Sequence, residues 1–103
     1  MQEFTKKVVA VIKNIPEGKV LTYGSVAARA GNRKSARQVS RILHSMSEGQ
    51  NLPWHRVINS KGGISLRPCK GYEVQKALLE SEGVKFAKNG HINLNKYLWK
   101  KQA

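Results

Sequence analysis

Two short helical segments that meet at Gly31 constrain the fold of this chain more than any other feature of its sequence. Thr22 is suited to begin the first segment, because a threonine hydroxyl accepts a hydrogen bond from a free N–H group of the first helical turn. Gly31 is suited to end it, since glycine tolerates the left-handed conformation that follows many helices. The second segment spans about residues 34–46. The pattern predicts a helix-turn-helix, a motif that helical hairpins without any ligand also resemble.

The second segment has an apolar and a basic face. Its apolar residues recur at helical spacing and are Ala36, Val39, Leu43 and Met46, with Ile42 at their flank. The opposite face carries Arg37, Arg41 and His44. In a recognition helix such a face contacts nucleic acid, whereas in an ordinary surface helix it forms salt bridges. No acidic residue occurs between Lys19 and Ser47, which favours the nucleic-acid interpretation.

The charge of the whole chain points the same way. Nineteen Lys and Arg residues face six acidic residues, all of them Glu, for a formal net charge of +13. Such an excess repels itself in a folded protein and indicates a polyanionic partner. A solubilising surface and attraction to acidic lipid are the alternatives. The lipid alternative is disfavoured, because no helix combines a broad basic face with bulky aromatic insertion residues.

Length and composition exclude several other classes of protein. The 103 residues are predicted to form a single domain over residues 1–103. No apolar run is long enough to span a membrane, and no secretory signal is seen. We therefore expect an intracellular protein, in the cytoplasm with the nucleoid if bacterial and in the nucleus if eukaryotic. The single Cys69 excludes an internal disulfide, and His44, His55 and His91 lack the spacing of metal ligands, so neither metal nor cofactor is expected.

Three further elements complete the predicted fold. A first helix covers about residues 2–14. A small hairpin is predicted from residues 52–58, the turn Asn59–Gly63 and Ile64–Leu66. A fourth helix from Tyr72 to Glu82 is expected to bury Val74, Ala77, Leu78 and Leu79. The predicted fold class is mainly α, a winged helix-turn-helix-like DNA-binding domain with a small β-hairpin wing.

Three ordered motifs resemble the DNA-binding domain of O6-alkylguanine-DNA alkyltransferases. They are GKVLTYGSVAARAG at residues 18–31, KSARQVSRIL at residues 34–43 and PWHRV at residues 53–57, and the resemblance extends from about Gly18 to Gly83. In that family the third motif reads PCHRV, and its cysteine takes the alkyl group from a flipped-out guanine. Trp54 stands at the cysteine position. The chain is therefore similar to the alkyltransferase-like proteins, which share the fold but not the transfer reaction.

The substitution by Trp54 removes the chemistry of the family. Dealkylation needs a thiolate, whereas the indole nitrogen is a donor without a basic lone pair. His55 and Glu82 match the His and Glu that activate the family's cysteine, and we interpret them as a hydrogen-bonded pair that braces the site. No catalytic residue and no enzymatic activity are expected. Trp54 is interpreted as lining the base pocket, the alternative being a core anchor.

The resemblance also implies the contacts to DNA. Tyr23 matches the residue that rotates the phosphate of the target nucleotide, and Arg37 matches the residue that fills the gap left by the extruded base. Ser35, Ala36 and Ser40 are small enough for close approach to the minor groove, and Arg41 lies on the same helix.

The base pocket is expected to involve Trp54, Arg67, Tyr23 and Val57. The guanidinium of Arg67 is suited to stack on a modified guanine, and a phosphate contact is the alternative. Asn51 falls near the hinge Asn of the family.

The resemblance predicts a monomer that binds O6-alkylguanine in double-stranded DNA, flips the nucleotide into a pocket and flags the lesion for the damage-recognition proteins of nucleotide excision repair. Two other functions compete with this one. The chain could be an active alkyltransferase that uses Cys69, or a winged-helix regulator that reads sequence or shape. The regulator leaves the PWHRV motif unexplained.

Overall fold

The fold comes from a computed structural model, which describes residues 2–100 and, within them, every side chain except those of Ser47 and Glu48. Over these residues the chain forms five α-helices, one 3-10 turn and two short strands. In chain order they are α1 (Glu3–Lys13), β1 (Leu21–Thr22), α2 (Tyr23–Arg29), α3 (Ala36–Gln50), the 3-10 turn (Trp54–Arg56), β2 (Val57–Ile58), α4 (Tyr72–Ser81) and α5 (Leu94–Tyr97). The mainly α class is confirmed.

The helix-turn-helix is formed by α2 and α3. The Thr22 hydroxyl accepts a hydrogen bond from the N–H of Ser25 at 3.0 Å, so the predicted cap of α2 is confirmed. Gly31 follows α2 with a φ of +102°, in the left-handed region. The next helix starts later than predicted, because Asn32 holds a turn with the N–H groups of Lys34 and Ser35. It also ends later, where Asn51 adopts a φ of +52°.

Buried side chains form two clusters. The larger one is shared by α1, α2 and α3 and reaches Leu52 and Val57. The smaller one brings together residues of β2, α4 and the C-terminal segment. Its members are Val20, Ile58, Leu79, Val84, Ile92 and Tyr97. Val57 and Ile58 are consecutive in β2, where side chains alternate between faces. They therefore join the two clusters, and the segment that follows Trp54 is fixed on both sides.

The strands pair differently from the predicted hairpin. β1 and β2 are parallel, with Leu21 opposite Val57 and Thr22 opposite Ile58. The turn at Asn59–Gly63 does form, with the Asn59 N–H donating to the Gly63 carbonyl at 3.0 Å. However, Ile64–Leu66 forms no strand, so the β-hairpin wing is wrong. β2 instead pairs with a strand from the start of the helix-turn-helix, which places the PWHRV segment beside Tyr23.

The fourth helix is where predicted but buries a different face. Val74 and Leu78 are 57% and 37% exposed, and Ala77 is exposed as well. Gln75 and Leu79 are buried instead, at 2% and 0%. The apolar face predicted from Val74 and Leu78 is therefore wrong. A polar residue takes the inner position because the Gln75 amide finds two backbone carbonyls there.

The C-terminal segment returns to β1. The N–H of Val20 donates to the Tyr97 carbonyl at 2.9 Å, and the N–H of Trp99 donates to the Val20 carbonyl at 2.8 Å. The Arg29 guanidinium lies 4.4 Å from the centre of the Trp99 ring and also donates to the Trp99 carbonyl. Within residues 2–100, no helix is both long and apolar enough to cross a membrane.

Candidate nucleic-acid interface and base-binding cavity

The PWHRV segment forms a tight turn that leads into β2. The N–H of Trp54 donates to the Leu52 carbonyl at 2.8 Å, and the N–H of Arg56 donates to the Pro53 carbonyl at 3.1 Å. Gln75 holds the turn from α4, because its Nε2 donates to the carbonyls of His55 and Val57, each at 3.0 Å. Both hydrogens of the amide are thereby used. The backbone on either side of Arg56 is therefore fixed to α4.

A second set of contacts holds the same turn through its side chains. His55 Nε2 lies 2.7 Å from Glu82 Oε2, so the predicted pair is present. Arg56 also contacts this carboxylate, with Nη2 2.7 Å from Oε2 and Nε 3.0 Å from Oε1. The N–H of Gly18 donates to Oε1 at 3.1 Å, and Arg56 Nη1 donates to the Ile15 carbonyl at 2.8 Å. Glu82 therefore connects the PWHRV turn to the loop before β1.

These contacts keep Glu82 ionised. Burial alone would raise the pKa of its carboxyl group, since only 8% of the side chain is exposed. The hydrogen bonds from Arg56, His55 and the Gly18 N–H, together with the charge of His55, outweigh burial and lower the pKa to about 2. A carboxylate with this many donors is a structural anchor. It supports the interpretation of His55 and Glu82 as a brace.

A cavity of about 600 Å³ opens between α3, the PWHRV turn and α4. Its walls come from the start of α2, the middle of α3, the segment 51–57 and the segment from Leu66 to Gln75. The lining residues are Tyr23, Ser40, Leu43, His44, Asn51, Leu52, Trp54, Val57, Leu66, Lys70, Gly71 and Gln75. The volume lies within the range of small-molecule and cofactor pockets, about 300–1,000 Å³.

Trp54 belongs to both the cavity and the core. Its half-buried ring packs against the larger cluster, and the same residue lines the cavity. The ring meets that of His55 edge-on, with centroids 6.2 Å apart and planes at 86°. The two interpretations of Trp54, pocket wall and core anchor, therefore describe one placement. His55, the neighbour of Trp54 in the turn, is held by its hydrogen bond to Glu82.

Tyr23 and Val57 line the cavity as predicted, whereas Arg67 does not. Arg67 is exposed in a turn closed by the Lys70 N–H, which donates to its carbonyl at 2.9 Å. The neighbours Leu66 and Lys70 face the cavity instead.

Tyr23 is half-buried at the start of α2, and its hydroxyl is hydrogen-bonded to Ser65. Burial raises the pKa of the Tyr23 hydroxyl above its ordinary value, so the group stays neutral at physiological pH.

The exposed face of α3 extends from the mouth of this cavity. Arg37, Ser40, Arg41 and His44 are exposed, and Ser35 and Ala36 are half-buried at the start of the helix. Among the side chains that the structure describes, both ion pairs use Glu82. Arg37 and Arg41 therefore have no carboxylate partner there, which argues against a salt-bridged surface.

Similarity to known proteins assigns the chain to a family. The family profile described as 6-O-methylguanine DNA methyltransferase, DNA binding domain, matches residues 3–84. A DNA base-flipping protein of Vibrio parahaemolyticus is 46% identical over 99 residues, which cover 96% of this chain and 98% of that protein. Alkyltransferase-like protein 1 of Schizosaccharomyces pombe is 42% identical, with 97% of both chains covered. The chain belongs to the alkyltransferase-like family.

The solved structures agree with this assignment. The crystal structure of S. pombe Atl1 in complex with damaged DNA containing O6-carboxymethylguanine superposes with a TM-score of 0.85. The identity is 42%, and 98% of each chain is covered. The predicted fold class is therefore confirmed at the level of the alkyltransferase-like DNA-binding fold.

Several residues of this alkyltransferase-like site escaped the sequence analysis. Gln75 gave no signal, since a glutamine within a helix usually reads as a surface residue. Arg56 could have been found, because it belongs to the PWHRV motif that drew attention to its neighbours. Asn51 lines the cavity, and its match to the family's hinge Asn stays a prediction. Its left-handed backbone, which ends α3, was not predicted.

Cys69 lies outside the cavity. It is exposed, it is not among the lining residues, and its backbone N–H donates to the Glu73 carboxylate at 2.9 Å. Among the side chains that the structure describes, no three His, Cys, Asp or Glu residues are grouped closely enough to hold a metal ion.

Proposed function

We propose that this alkyltransferase-like chain recognises O6-alkylguanine in duplex DNA by flipping the nucleotide into the cavity at Trp54, without transferring the alkyl group. The observation that carries the proposal is the placement of Trp54, which lines a cavity of about 600 Å³. The resemblance implies that this is the position of the family's reactive cysteine. The names of the relatives support it, since they are a DNA base-flipping protein and an alkyltransferase-like protein.

The absence of transfer follows from the chemistry of the cavity wall. Attack on an O-alkyl carbon needs a soft nucleophile such as a thiolate, and none of the lining residues is a cysteine. His55 is bonded to Glu82, as an activating base would be. The residue that it would activate is an indole, which has no basic lone pair. The pair therefore supports the shape of the site and performs no proton transfer.

The lining of the cavity suits a flipped base. Trp54 and Tyr23 offer aromatic surface, and Leu43, Leu52 and Val57 offer apolar contact. Stacking of a base on an aromatic side chain contributes about 1–3 kcal/mol, which offsets the few kcal/mol needed to unstack it.

Arg37 is the residue that we propose to enter the duplex. It is exposed in the first turn of α3, without a carboxylate partner among the described side chains. A guanidinium there can occupy the gap that the extruded nucleotide leaves in the stack. Ser40 and Arg41 follow on the same exposed face, where a small side chain permits close approach and a cation meets the phosphates.

A binding titration tests the lesion preference. Duplexes that differ only in one base, guanine or O6-methylguanine, are titrated at fixed salt concentration, and we expect the lesion duplex to bind at least tenfold more tightly. The Arg37→Ala variant should lose most of this affinity. Arg33→Ala, which removes an exposed cation outside α3, is the matched control and should change binding by less than threefold. Equal affinity for the two duplexes would refute lesion recognition.

Protein mass distinguishes recognition from repair. After incubation with O6-methylguanine DNA, the mass of a transferase increases by one methyl group, whereas we expect the mass of this chain to stay constant. Cys69→Ser should bind as the parent chain does. Trp54→Cys restores the PCHRV motif, but we expect no transfer, since the cavity was shaped around an indole. A methyl adduct on Cys69 would contradict the proposal.

We also propose that the bound lesion is handed to the damage-recognition proteins of nucleotide excision repair. The support is indirect: a site that captures a base without repairing it needs a second activity to remove the lesion. Purified damage-recognition proteins should bind O6-methylguanine duplexes more tightly when this chain is present. Independent binding of the two proteins would refute the hand-over and leave lesion recognition intact.

A further inference from the structure

Lys70 gives the cavity a positive charge that nothing in the described structure neutralises. Lys70 and His44 line the cavity, and among the described side chains no Asp or Glu does. Among the described side chains both ion pairs use Glu82. The acid nearest to Lys70 in sequence, Glu73, accepts instead from the Cys69 N–H, at 2.9 and 3.3 Å. The ammonium group is therefore available to a ligand.

The loop that carries Lys70 is held in a defined shape. The Lys70 N–H donates to the Arg67 carbonyl at 2.9 Å, and Cys69 takes a φ of +65°. Gly71 has a φ of +114° and packs so closely on Leu66 that a Cβ would lie 2.8 Å from Leu66 Cδ1. Gly71 also precedes α4, which Gln75 fixes to the PWHRV turn. The backbone of Lys70 is thus held at the wall of a cavity that no described Asp or Glu side chain lines.

We propose that Lys70 makes the cavity selective for O6-alkyl groups that carry a carboxylate, such as carboxymethyl, over neutral groups of the same size. The inference rests on the proposed function and specifies the class of lesion. A carboxylate and an ammonium attract each other more strongly beside apolar walls than in water, and such charge-assisted hydrogen bonds are among the strong ones. Leu43, Leu52 and Leu66 provide those walls.

A backbone phosphate is the other anion that Lys70 could meet, and it makes a different prediction. A phosphate contact strengthens binding to every duplex alike. A contact with the alkyl group strengthens binding only where that group is charged. Two lesions of equal size, O6-carboxymethylguanine and its neutral amide O6-carbamoylmethylguanine, therefore separate the two roles.

The experiment measures four dissociation constants, with the full chain and its Lys70→Met variant against the two lesion duplexes. We expect the parent chain to bind the carboxymethyl duplex about tenfold more tightly than the carbamoylmethyl duplex. Lys70→Met should abolish this ratio and leave the affinity for the neutral lesion within about threefold. Lys70→Glu should invert the ratio. Lys61→Met, which removes an exposed cation outside the cavity, should preserve it.

Three outcomes would overturn the inference. Equal loss of affinity for both lesions in Lys70→Met would assign Lys70 to a phosphate. Equal affinity of the parent chain for both lesions, with both above an undamaged duplex, would remove the carboxylate selectivity and leave the proposed function standing. Failure of the parent chain to prefer either lesion over guanine would remove both.

Discussion

Glu82 is the residue through which separate parts of the chain meet at the site. Its carboxylate is reached by His55 and Arg56 from the PWHRV turn and by the N–H of Gly18 from the loop before β1. Because it follows the last turn of α4, it also fixes the end of that helix. A change at this one side chain therefore acts on the shape of the cavity wall without touching a bound base.

Acid should weaken the fold through Glu82. Its pKa is about 2 in the folded chain and 4.5 ordinarily, so its stabilising effect is complete above about pH 4.5 and is lost as the pH falls toward 2. The difference corresponds to roughly 3 kcal/mol. Urea unfolding from pH 6 to pH 2 should show the free energies of the parent chain and Glu82→Gln converging. Glu80→Gln, which removes an exposed neighbour, is the control, and curves that stay parallel would contradict the assignment.

The turn between α2 and α3 sets the orientation of α3 and of its exposed basic face. Gly31 adopts a φ of +102°, and a Cβ placed on it would meet no atom within 4 Å. A side chain at Gly31 would therefore strain the backbone conformation but would clash with no other atom. Gly49 is a useful contrast, since it lies inside α3, has no positive φ and is equally open.

Alanine at the two glycines should have opposite effects on stability. Gly31→Ala should lower the free energy of unfolding by about 1–2 kcal/mol, because the left-handed region is unfavourable for a residue with a Cβ. Gly49→Ala should raise it by up to about 1 kcal/mol through helix propensity. Urea titration at neutral pH measures both. A neutral Gly31→Ala would show that the turn can relax.

The elements that could be predicted are those with local signals. Thr22 and Gly31 lie directly at the ends of the helix that they begin and end. The apolar and basic faces of α3 are likewise encoded within the helix itself. The pairing of β2 has no such local signal. Val57 and Ile58 pair with Leu21 and Thr22, and no residue near β2 encodes that choice of partner. The buried face of α4 could not be predicted for a related reason, because Gln75 is held inside by carbonyls of the PWHRV turn. The pairing of His55 with Glu82 could be predicted only from the resemblance to a family.

The net charge of +13 should dominate the affinity of the protein for DNA. Binding that neutralises phosphates releases counter-ions, and each phosphate adds about 0.9 to the slope of log affinity against log salt concentration. We expect a steep slope for lesion and undamaged duplexes alike, measured by fluorescence anisotropy between low and physiological salt. Arg41→Ala should reduce it by about 1, and Lys88→Ala, outside α3, should leave it unchanged. An unaltered slope in Arg41→Ala would exclude a phosphate contact.

The parallel pairing of β1 has a consequence for how the chain acquires its structure. β1 and the residue before it pair with the middle and the last parts of the sequence, with Leu21 opposite Val57 and Val20 opposite Leu98. Helices α1 to α3 are formed by contiguous segments, so their backbone hydrogen bonds need no distant partner. Contacts between distant residues close large loops and come later. We therefore expect the wall that carries Trp54 to be completed after the basic helix beside it. The segment around Leu98, which pairs with Val20 just before β1, is the last of these partners to be synthesised.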